Sequence, residues 1–154
     1  MEKYKKLQRY ERIFKQVEPL LAPHNNPVAA MATVAAVLHH KFDYYFWTGF
    51  YLLQDGELIV GPYQGPVACI KLKKDTGVCW AGINGKKTLV INDVHQFPGH
   101  IACDSRSNSE IVIPLKNASG EIVGVLDVDS KDLAAFDEAD KEGLEKILTL
   151  IYNY

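Results

Sequence analysis

The chain has 154 residues, 47% of them hydrophobic and 23% charged, which is enough apolar material to close one core and too much for a disordered segment. Its 17 basic residues against 19 acidic ones leave a formal net charge of -2, a field too weak to hold a phosphate backbone, so nucleic acid is not an expected partner. Met1 to Tyr10 is charged throughout and carries no signal-like or membrane-spanning apolar run, so no membrane partner is expected and the cytoplasm is the expected location.

Leu7, Tyr10, Ile13, Phe14, Val17, Leu20 and Leu21 recur at three-to-four spacing and predict an amphipathic helix over residues 3–21, ended by Ala22-Pro23. Asn26 is placed to cap a second helix that starts at Pro27 and runs to Leu38. His39 and His40 close it and suit its negative end as solvated residues rather than as ligands. Tyr44 to Leu53, the Asp55-Gly56 turn and Glu57 to Val60 predict a β-hairpin. Gly61-Pro62 and Gly65-Pro66 then predict a loop that leads into a short strand at Val67 to Ile70. Thr76 to Ile83 reads as a loop entering one or two helical turns, and Thr88 to Ile91 as a short strand.

Residues 92–108 form a loop too long and polar for an ordinary connection, and such loops usually serve a function. Glu110 to Leu115 and Glu121 to Asp129, joined by the Asn117 to Gly120 turn, give the strongest hairpin signal. Phe136-Asp137 opens a capped C-terminal helix, expected beside the first, with Leu144, Ile147, Leu148 and Ile151 as its apolar stripe. This order predicts a single α+β domain over 1–154, an antiparallel sheet with the helices grouped on one face.

The cysteines are an odd set, Cys69, Cys79 and Cys103, which argues against a secreted disulfide framework and leaves burial, metal or redox chemistry. Taken singly, a free cysteine is most often a small buried hydrophobe. Cys103 differs, because it lies in a polar loop where His100, Arg106 and backbone amides can stabilise a thiolate, while Asp104 and Glu110 oppose this. Zinc is poorly served, since the three cysteines with His95 or His100 lack a Cys-x-x-Cys pair, and no metal site is expected.

Glu110 starts one strand, and Asp127 and Asp129 end its hairpin partner, so pairing brings all three carboxylates to one end of the sheet. Like-charge repulsion there raises at least one pKa towards neutrality, and although a lone aspartate reads as a strand-ending cap, two same-facing acids opposite a third favour a catalytic site that can supply a general acid. Trp47 and Tyr51, four apart on a strand, face the same side, as core or as a pocket wall.

The segments Gly61-Pro62-Tyr63-Gln64-Gly65, Ala68-Cys69, Gly77-Val78-Cys79, Asp93-Val94-His95, Gly99 to Asp104, Ser107 to Glu110 and Gly124 to Ser130 together resemble the free methionine-(R)-sulfoxide reductases. The resemblance covers nearly the whole chain and implies a single GAF domain with a long loop over its ligand pocket. It implies that Cys103 attacks the sulfoxide, that Cys69 resolves the resulting sulfenic acid as an intramolecular disulfide, and that Cys79 has a catalytic or secondary resolving role. From the residues alone, Cys69 and Cys79 both remain candidates to pair with Cys103, because a disulfide needs Cα atoms about 4.4 to 6.8 Å apart and spacing along the chain does not reveal this.

The resemblance also implies an aromatic cage of Trp47 and Tyr51 around the substrate methyl group, exclusion of peptide-bound methionine sulfoxide, no bound cofactor, and thioredoxin as the external reductant. Self-association into a homodimer is left open. The competing reading is a GAF domain that senses a small ligand and needs no reactive thiol.

Overall fold

The computed structural model describes residues 1–100 and 103–152. Helix α1 (Lys3–Leu21) buries Tyr10, Ile13, Val17 and Leu21, but Leu20, assigned to the same stripe, is exposed. Lys6, by contrast, is buried, because its ammonium reaches a buried carboxylate at the far end of the chain. Helix α2 (Pro27–Lys41) starts where the Asn26 carboxamide accepts the Ala29 N–H at 3.0 Å. Helix α4 (Glu138–Leu148) begins with a full capping box in which Asp137 and Asp140 bond each other's backbone N–H groups.

Among the described residues six strands form one antiparallel sheet in the order β3-β2-β1-β6-β5-β4. They are β1 (Trp47–Gln54), β2 (Glu57–Gln64), β3 (Lys71–Leu72), β4 (Leu89–Ile91), β5 (Ser109–Lys116) and β6 (Ile122–Ser130). Alternation along the strands sorts the side chains into two cores. Phe50, Ile111, Ile113, Leu115, Leu126 and Val128 pack against α1, α2 and α4, which share one face as expected. Trp47, Tyr51, Val112 and Val125 turn to the other face, where Val78, Cys79 and Trp80 of helix α3 (Gly77–Gly85) meet them. The terminal helices touch so closely that a Cβ on Gly143 of α4 would lie 2.2 Å from the Tyr10 ring.

Three strands depart from the sequence reading by more than one residue, and α2 runs on from Leu38 to Lys41. β1 starts at Trp47 and not at Tyr44, because the Tyr44 and Tyr45 hydroxyls are drawn into a buried polar cluster with Tyr10 and Asp140. β2 runs through Gly61-Pro62 to Gln64: between the pairs Tyr51–Val60 and Gly49–Tyr63, two residues of β1 step against three of β2, so Pro62 sits in a bulge where no ladder N–H is required. Val67 to Ile70 is loop, and the strand comes just after it, where Lys71 and Leu72 pair with Ile59 and Leu58. No helix among the described residues is long and apolar enough to cross a membrane.

Candidate active site

On the sheet face opposite the terminal helices lies a cavity of about 260 Å³, bounded by the sheet, α3, the segment after β2 and the long loop before β5. Sheet register supplies its floor. Glu110 of β5 is opposite Asp129 of β6, which is opposite Trp47 of β1, and one step along, Val112, Asp127 and Gly49 form the next row. The expectation that pairing gathers Glu110, Asp127 and Asp129 at one end of the sheet therefore matches the register, and all three line the cavity.

Glu110 and Asp127 are each only 5% exposed, and Asp129 is partly open to the cavity. Burial pushes the Asp127 carboxyl well above the usual range, and the charges of Asp129 and Glu110 push it further. Asp129 is raised for the same reasons, burial first and then Glu110. Repulsion was the cause read from the sequence; in the folded chain loss of solvent is the larger one. The Asp127 Oδ1 is buried without a hydrogen-bond partner among the described residues, and Asp127 lines the cavity.

The cysteines divide in two. Cys69, in the loop after β2, and Cys103, in the long loop, form a disulfide with Cα atoms 5.7 Å apart across 34 residues of chain. This pair sits at the cavity mouth, with Cys69 half-buried and Cys103 exposed, and the Tyr51 hydroxyl donates to the Cys69 carbonyl at 3.3 Å. Cys79, in the first turn of α3, is free and buried at the floor. Burial, followed by the Asp127 charge, raises its thiol well above the ordinary value, so it stays protonated near neutrality.

Arg106 does not support a Cys103 thiolate as the sequence suggested. Its guanidinium donates from Nε at 2.9 Å and Nη2 at 2.6 Å to the two oxygens of Asp104, whose carboxyl is thereby lowered to about 2. The same guanidinium lies 4.9 Å from the Phe46 ring centre, so it braces the loop against the cavity wall. His100 does line the cavity, and its Nε2 is buried without a partner among the described residues. Ile101 and Ala102 of the quoted motif lie outside the described residues.

Trp47 and Tyr51 are both buried and stack with ring centres 5.7 Å apart; Tyr63 extends the stack on the Trp47 side at 5.2 Å. The indole N–H donates to the Pro66 carbonyl at 3.0 Å, which ties this wall to the loop that carries Cys69. Gly49 is the residue that sequence reasoning missed. A Cβ there would lie 2.3 Å from the Tyr63 Cβ and 2.6 Å from the Trp47 ring, so only hydrogen fits where the rings close over the strand. Its signal was present in the alternation Trp47, Gly49, Tyr51 on one strand face. His39 bonds Thr48 Oγ1 through Nδ1 at 3.0 Å and is half-buried, whereas His40 is exposed, so the solvated reading holds for His40 alone.

A family model described as a GAF domain matches residues 29–152. GAF domain-containing protein A of Dictyostelium discoideum is 48% identical over 149 residues, covering 96% of this chain and 93% of that protein. The free methionine-R-sulfoxide reductase of Escherichia coli strain K12 is 39% identical over 139 residues, 90% of this chain and 84% of its own length. The X-ray structure of free methionine-R-sulfoxide reductase from Neisseria meningitidis, in complex with its substrate, superposes with a TM-score of 0.90 at 41% identity, covering 96% of this chain and 89% of that one.

Proposed function

The chain belongs to the GAF-domain family, among its free methionine-R-sulfoxide reductases, and on that premise we propose that it reduces free L-methionine-(R)-sulfoxide to L-methionine by thiol chemistry. The observation that carries this reading is a pair of cysteines within bonding reach at the mouth of a cavity whose floor holds carboxyl groups that burial keeps well above the usual carboxylate range.

In the proposed cycle the Cys103 sulfur attacks the sulfoxide sulfur while an acid of the Glu110, Asp127 and Asp129 cluster protonates the oxygen. The sulfur–oxygen bond of the substrate breaks, the oxygen passes to Cys103 as a sulfenic acid, and methionine leaves. The Cys69 thiol then attacks the Cys103 sulfur and expels water, giving the Cys69–Cys103 disulfide, whose Cα separation lies within the permitted range. An external dithiol of the thioredoxin class takes the disulfide back to two thiols. We place this cycle in the cytoplasm, where such dithiols are kept reduced.

Trp47 and Tyr51 would enclose the methyl group, and closure of the pocket around the amino and carboxylate ends would exclude sulfoxide within a peptide. A protonated, buried Cys79 suits support of the floor better than attack on the substrate. The test is NADPH oxidation in the presence of thioredoxin, its reductase and the free R epimer. Turnover of that epimer, with little on the S epimer or a blocked peptide, is expected; equal turnover of the blocked peptide would overturn the enclosed pocket, and no turnover would overturn the activity.

A further inference from the structure

The sequence offers no metal motif built on three cysteines, and the fold removes two of them into a disulfide, yet it creates a donor set that spacing along the chain did not suggest. Cys79 of α3, Glu110 of β5 and Asp127 of β6 each turn one ligand atom to the cavity floor, and these atoms all lie within 4.8 Å of one another. All three residues are buried. The set is therefore no acidic surface patch: its members come from three elements and are held in place by strand register and by α3 packing on the sheet. A second observation points to a ligand, namely that Asp127 is 5% exposed, faces the cavity and holds Oδ1 without a hydrogen-bond partner among the described residues.

We propose that the cavity floor binds a thiophilic divalent cation, zinc(II) above others, through Cys79 Sγ and one oxygen each of Glu110 and Asp127, in competition with substrate. On binding, the Cys79 thiol proton and the proton shared by the carboxyl groups leave to water, so that sulfur coordinates as thiolate and the two oxygens as carboxylates. Zinc–sulfur and zinc–oxygen bonds of about 2.3 and 2.1 Å put tetrahedral donors about 3.5 Å apart, so the side chains close on the ion by roughly an ångström. Three protein donors leave a fourth position, which here opens into the cavity, and the mixed thiolate and carboxylate set suits zinc or cobalt. Magnesium and calcium, which take six or more oxygens, are poorly served. The dication offsets the mutual repulsion of the carboxylates, and it stands where a sulfoxide oxygen has to reach its acid.

The oxidised chain allows a clean test, because with Cys69 and Cys103 joined, Cys79 is the free thiol. The full chain is kept disulfide-bonded without reductant and titrated with zinc(II) against a chromophoric chelator, and in parallel with cobalt(II). One equivalent of zinc and a thiolate-to-cobalt charge-transfer band are expected. Cys79→Ser should abolish the band, and Asp127→Asn should weaken zinc binding by more than about tenfold, since even an outer-shell partner contributes that much. Near-ultraviolet circular dichroism on both variants checks that the fold is kept.

Absence of the band, its survival in Cys79→Ser, or equal zinc uptake by both variants would overturn the proposal, the last placing the ions on surface groups. None of these readouts needs turnover. A chain that failed to reduce methionine sulfoxide would still report on the cation site, and the two readings fail separately.

Discussion

At the scale of single residues the cysteines and carboxylates make different demands. Cys103→Ser should abolish both turnover and the one-equivalent burst of methionine formed without reductant, whereas Cys69→Ser should keep the burst and lose thioredoxin-driven cycling; rapid-quench measurement of methionine separates them. Glu110→Gln or Asp129→Asn should slow the first chemical step by roughly 10²–10⁴-fold if the cluster supplies the proton. Their stability should hold or rise, because the amides relieve burial of charge. Asp127 and Asp129 bind their protons more tightly folded than unfolded. Their contribution is thus fully present below the unfolded value near 3.8 and is lost as pH climbs through the raised folded values. Chemical denaturation from acid to alkaline pH should show stability falling over that span, and a flatter profile in Asp129→Asn. The types and the common end of these acids were readable from the hairpin, since alternation and pairing are local rules. That burial outweighs repulsion was not, because it depends on α3 and the long loop closing over them.

At the scale of elements, the β1–β2 pair shapes the aromatic wall. Its bulge at Gly61-Pro62 shifts the register so that Tyr63 comes opposite Gly49, and Tyr63 then stacks on Trp47. Gly49→Ala forces a methyl into space held by the Tyr63 Cβ and the Trp47 ring, an overpacking expected to cost about 1–3 kcal/mol. It should lower the midpoint of denaturation and raise KM for free methionine sulfoxide, while leaving the disulfide able to form; an unchanged KM would remove the stacked rings from the substrate wall. The sequence predicted the hairpin and its turn but ended the second strand too soon. Gly-Pro signals a break locally, and only the partner strand shows that the break is a bulge inside a ladder.

The scale of the whole molecule is governed by a knot that joins the two ends of the chain. Asp140, fully buried in α4, accepts Lys6 Nζ at 2.7 Å and the Tyr10 and Tyr44 hydroxyls at 2.6 Å each, so one carboxylate links α4, α1 and the entry to β1. Lys6→Met leaves that charge without its ionic partner and should destabilise the fold by about 3–5 kcal/mol, with the paired change Lys6→Met and Asp140→Leu recovering part of the loss. A melting series on the single and double variants checks this. The sequence by itself determined the apolar stripes of α1 and α4, the sheet-forming hairpins, the shared face of Trp47 and Tyr51 and the gathering of the three acids, because helix and strand periods act over a few residues. The resemblance implied Cys69 as the partner of Cys103, but where the residues alone left Cys69 and Cys79 both open only the tertiary structure decided between them. It likewise decided that Lys6 is buried while Leu20 is not and that Cys79 lies against Glu110 and Asp127. These are distances between elements far apart in the chain, set by how layers pack on the sheet, and no local period carries them.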